Sequence, residues 1–127
     1  MEFEAKPPDD QAFSLPDNPI LRTANMVKAI HWYPGDDKVG STHCTGKVLE
    51  WVGKTPLDES PENPEAREVL VDWMRLLAAK VVRPPFDDSD SALRLIECAL
   101  NIQVSIHTRN YLENIRQQII ALQDKRS

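Results

Sequence analysis

The stretch GSTHCTGKV, residues 40–48, packs two glycines, three hydroxyls, a histidine, a cysteine and a lysine into nine positions, and it invites a chemical reading more than any other part of the chain. A phosphate-cradling loop needs a glycine, four residues, then Gly-Lys and Ser or Thr, so that backbone N–H groups curl around the phosphate and the hydroxyl reaches magnesium. Here five residues separate Gly40 from Gly46, and Val48 stands where the hydroxyl belongs. A cysteine nucleophile is the second possibility, with His43 beside Cys44. Neighbours on a helix point about 100° apart, so a base for Cys44 would have to arrive from His31 or His107 through the fold. Metal ligation could draw on His31, His43, Cys44, Cys98 and His107, yet structural zinc sites take their ligands in close pairs, and only the adjacent His43 and Cys44 form one. The acidic pairs Asp36–Asp37 and Asp87–Asp88 have the look of acid/base dyads. They flank Pro34, Gly35 and Pro85, where aspartate serves the backbone as turn former and helix cap. These residues define no catalytic set, no metal site and no cofactor site.

The elements that would have to position them read as helices. Asn18 before Pro19 is a helix start with a mechanism, since the Asn oxygen accepts an orphan N–H and proline at the first helical position sacrifices no bond. Ile20, Leu21, Ala24, Val27 and Ile30 follow at helical spacing until Pro34 and Gly35 stop the run. Ser41 or Thr42 is read as the cap of a second helix with Cys44, Val48, Leu49, Trp51 and Val52 along one side. The alternative for residues 24–53 is a small β-hairpin turning at PGDDK, which would make the fold α+β. KTPLDESPEN is a loop. Asn63 caps a third helix over 64–82, with Ala66, Val69, Leu70, Trp73, Leu76, Leu77 and Val81 tracing its apolar face. After Asp88 or Ser89 the chain to Arg126 holds neither glycine nor proline, and Leu93, Ile96, Leu100, Val104, His107, Tyr111, Ile115, Ile119 and Leu122 keep helical phase. Either one long helix spans 89–126 or a break falls in NIQVSIHT, where helix propensity is weakest.

Composition frames this. A chain of 127 residues with 41% hydrophobic and 28% charged residues is sized for one core. The expected fold is all-α, a bundle of four to five helices in a single domain over 19–127, behind an extended, acidic, Pro-rich arm over 1–18. No apolar run approaches the roughly 20 residues that cross a bilayer, and MEFEAKPPDD lacks the basic end and apolar block of a signal peptide. The expectation is a cytoplasmic protein, without a membrane role, whose two cysteines stay reduced. A formal net charge of −5 opposes nucleic-acid binding, which draws its affinity from clustered Lys and Arg. Arg109, Arg116, Lys125 and Arg126 are too thinly spread for such a footprint.

The aromatic residues carry the functional expectation. Trp32 and Tyr33 are adjacent and cannot both face a core, and exposed Trp and Tyr are the commonest anchors of protein interfaces. The chain therefore reads as a small non-enzymatic regulatory protein of adaptor, inhibitor or immunity type, acting on another protein or on a second copy of itself. Trp32, Tyr33, Tyr111, Ile115, Ile119 and Leu122 are its candidate interface, with Phe13 and Leu15 of the arm as clips. The alternative is a small enzyme or metal-binding protein centred on His43 and Cys44.

Overall fold

Asn18 opens the first helix as its side chain suggests, its Oδ1 accepting from the backbone N–H of Ile20 at 2.8 Å and of Leu21 at 3.4 Å. The computed structural model describes residues 18–57 and 64–126, so the arm, with Phe13 and Leu15, and the cap expected at Asn63 lie outside the described residues. Helix α1 (Pro19–Trp32) buries Ile20, Thr23, Ala24 and Val27, one stripe of a 3.6-residue repeat. Past it the chain reverses at Gly35, whose φ of +105° favours glycine and where a Cβ would stand 2.7 Å from the carbonyl carbon of Gly40. Helix α2 (Lys38–Lys54) then begins earlier than the hydroxyl-rich stretch suggests. Asp37 caps it, with its carboxylate accepting from the N–H of Gly40 at 3.0 Å, which frees Ser41 and Thr42 for other partners. Residues 24–53 thus hold two helices, and the hairpin alternative is set aside.

Helix α3 (Pro64–Val81) is followed by α4 (Ser89–Leu100) and α5 (Ile106–Arg126). The long C-terminal segment is therefore two helices: residues 101–105 break it, within the polar, β-branched stretch where propensity is lowest. Among the described residues there are five helices and no strand, and the fold is all-α.

Helix α3 occupies the middle, packed on α1 at one side and on α4 at the other; α2 leans on α1 and α4, and α5 packs on α4. Ile20 and Val27 of α1, Val48 of α2, Leu70, Met74 and Leu77 of α3, Leu95 and Ile96 of α4, and Leu112 of α5 are fully buried in one cluster. Each such side chain contributes about 1.5–3 kcal/mol through burial. Two faces differ from expectation. On α3 the buried set is Ala66, Arg67, Leu70, Val71, Met74, Leu77, Ala78 and Val81, while Val69 is exposed and Trp73 and Leu76 are half-buried. A helix with neighbours on two sides buries a broad arc, and the edge of that arc was mistaken for its centre. On α5 the buried residues are Leu112 and Ile119, with Ile115 and Leu122 half-buried, and Tyr111 points outward. Past the break at 101–105 the first inward position of α5 is Leu112 and not Tyr111, while Ile115, Ile119 and Leu122 of the expected stripe stay buried or half-buried.

Candidate functional site

The reactive-looking stretch is the first half of α2. Ser41 donates to Oδ2 of Asp88 at 2.8 Å and Thr42 donates to the same oxygen at 2.9 Å, while Oδ1 of Asp88 accepts the backbone N–H of Ser91 at 3.2 Å and caps α4. Thr45 turns its hydroxyl back onto the carbonyl of Ser41 at 2.9 Å. Burial pushes the Asp88 carboxyl up, but the donors from Ser91, Ser41 and Thr42 outweigh it and hold the group below the usual carboxylate range. The hydroxyls thus fasten α2 to the start of α4. His43 is exposed and Cys44 half-buried, and among the described residues no three His, Cys, Asp or Glu side chains converge as a metal site would require. Cys44 and Cys98 are free thiols, and burial raises the pKa of Cys98.

A second polar joint holds the break before α5. The carboxylate of Glu68 accepts the backbone N–H of Ser105 and the hydroxyl of Thr108, both at 2.7 Å. Buried Arg67 donates from Nε to the carbonyl of Gln103 at 2.8 Å, and Arg109 donates to the carbonyl of Leu100 at 2.6 Å. Burial again pushes the Glu68 carboxyl up, and the bonds from Ser105 and Thr108, helped by the Arg67 charge, bring it below its ordinary value. Glu68 of α3 thereby ties down Ser105, whose own hydroxyl accepts the Thr108 N–H at 3.2 Å and caps α5. Arg116 is likewise engaged, with Glu97 at 3.3 Å and Glu113 at 3.7 Å, which leaves fewer cations on α5 for a polyanion.

What faces outward is aromatic. Trp32 and Tyr33 are 65% and 64% exposed at the end of α1. The Tyr33 hydroxyl donates to Asp36 at 2.6 Å, which raises its pKa. His31 stands edge-on between Trp32 and Trp73, with ring centres 5.1 and 5.4 Å away. Lys28 lies over Trp73 and Lys80 over Trp32, at 5.6 and 5.9 Å, within the range of cation–π attraction. Lys80 also donates to the carbonyl of His31 at 2.7 Å, closing the end of α1. Burial, with the Lys80 charge, holds His31 below the usual imidazole range, and its buried Nδ1 has no partner among the described residues. Across the outer stripe of α3, Tyr111 is 50% exposed beneath the Arg75 guanidinium, 5.2 Å from ring centre to Cζ, and shares with Val69 a groove of about 340 Å³. The expected interface residues thus divide. Trp32, Tyr33 and Tyr111 are outside, whereas Ile119 belongs to the core, Ile115 is half-buried against it and Leu122 is half-buried. Trp73, read from spacing as core, is half-buried and packs against the core at the edge of this group. No helix among the described residues is long and apolar enough to cross a membrane.

Searches against protein-family models, curated proteins and solved structures find no match to this chain.

Proposed function

We propose that this protein works by contact: a small, non-enzymatic regulatory or adaptor protein of the cytoplasm whose aromatic face, Trp32 and Tyr33 with Trp73 beside them and Tyr111 across α3, receives another protein or a second copy of itself. The observation that carries the reading is the exposure of Trp32 and Tyr33. Rings exposed to this degree bury little apolar surface within the fold, and desolvating them against a partner is where such side chains yield most binding energy. The cations poised over Trp32, Trp73 and Tyr111 favour a partner that brings acidic groups to the same place.

The test uses the full chain as bait beside a Trp32→Ala/Tyr33→Ala/Tyr111→Ala variant, with captured proteins quantified by mass spectrometry and the mass of the chain in solution measured for both. All three side chains are exposed, so the variant is expected to unfold at nearly the wild-type denaturant concentration. A partner or a dimer present with the wild type and lost with the variant is the expected result. Identical capture and a monomer in both cases would overturn the reading.

A further inference from the structure

Lys28, Lys80 and Arg83 gather where α1 and α3 end, and none of them makes an ion pair among the described residues. Lys80 and Arg83 line a hollow of about 550 Å³ beside Trp32, floored by Leu76, Ala79 and Phe86, with no acidic side chain in its wall. The buried, unpartnered Nδ1 of His31 belongs to the same wall. A cationic rim over an apolar, aromatic floor fits a peptide that alternates carboxylates with large apolar side chains. Residues 1–17 have that chemistry: Glu2, Glu4, Asp9, Asp10 and Asp17 against the single base Lys6, interleaved with Phe3, Phe13 and Leu15.

We propose that the hollow and the adjoining Trp32–Trp73 surface are a docking site for the chain's own residues 1–17, bound in cis. The reach is right. This segment joins the fold at Asn18, the start of α1, and the 14 residues of α1 span about 20 Å. An extended chain covers about 3.1 Å per residue, so six or seven residues suffice to run the length of the helix. Counting back from Asn18, the length of chain up to Asp9 and Asp10 is enough to reach Lys80 and Arg83, and Phe13 and Leu15 fall within the stretch that would pass Trp73. A segment docked there covers the face offered above to a partner and competes with it for the same cations. The inference does not depend on that partner.

The test is therefore made with the full chain alone, following the indole N–H signals of the three tryptophans by NMR, with Trp51 of α2 as the internal control. An Asp9→Lys/Asp10→Lys variant is expected to move the Trp32 and Trp73 signals and leave Trp51 in place. Wild-type protein in about 0.5 M salt, where charges are screened beyond a few ångströms, should move the same way. Arg83→Glu should reproduce the release, and combining it with Asp9→Lys/Asp10→Lys should restore the wild-type positions. Asp9 and Asp10 precede the first helix in sequence, and an unmoved Trp51 signal reports that the core is intact in the variant. Unmoved Trp32 and Trp73 signals in the variant overturn the proposal, as do signals that depend on protein concentration, which would mean that the segment docks on a second copy.

Discussion

Asp88 shows how one residue can join two elements. Its carboxylate takes three donors from α2 and α4 while almost wholly buried. Removing it strands those donors, and Asp88→Ala is expected to lower the unfolding free energy by about 2–4 kcal/mol, read from urea titration. Because Asp88 and Glu68 are both held below their ordinary range in the folded state, each stabilises the fold above its unfolded pKa of about 4, and that contribution fades as pH falls through the lower folded value. Wild-type protein should therefore lose stability on acidification in this window, and Asp88→Ala should show a shallower fall. Much of this was half-legible. Asp87 and Asp88 beside Pro85 read correctly as turn and cap residues, but the bond to Ser41 joins positions 47 apart in sequence, and no local pattern encodes a partner that only tertiary folding brings close.

At the scale of the helix, phase decides which of two neighbours matters. Leu112 is fully buried while Tyr111 is half exposed. Leu112→Ala is expected to cost about 2–5 kcal/mol, whereas Tyr111→Ala should cost no more than about 1 kcal/mol, the scale of its lost cation–π contact. Denaturation of the two variants side by side measures the difference. The joint at Glu68 sets a second expectation: Glu68→Ala removes the acceptor of the Ser105 N–H and of the Thr108 hydroxyl and so loosens the Ser105 cap of α5, and the amides of Ser105 and Thr108 should exchange with solvent faster in the variant while those of α1 do not change. Helix existence was plain in the sequence because the apolar repeats of residues 20–30 and 66–81 extend over several turns and because Pro and Gly mark the ends. Which face turns inward was less plain. Spacing alone gives a stripe, and neighbours on two sides of α3, or a break before α5, shift the buried arc away from it.

For the whole molecule the uneven element is α5. Helix α3 is flanked on both sides, while α5 packs mainly on α4 and, among the described residues, adds only Leu112 and Ile119 to the buried set. Native-state hydrogen exchange should rank the two accordingly, with amides in the middle of α5 opening at lower free energy than those around Leu70, Met74 and Leu77 of α3. The aromatic face was legible only as residue types: Trp32 and Tyr33 were recognisable as rings that could not both be inside, but their grouping with Trp73, and the opposite flank held by Tyr111, depend on α1 and α3 lying side by side with α5 beyond.

That arrangement bears on the order of assembly. Every helix that touches α3 substantially precedes residue 101 in the chain, so α1 to α4 can assemble around a shared centre before α5 takes its place. Until then its seat on α4 is bare, with Leu95 and Ile96 nearby in the core.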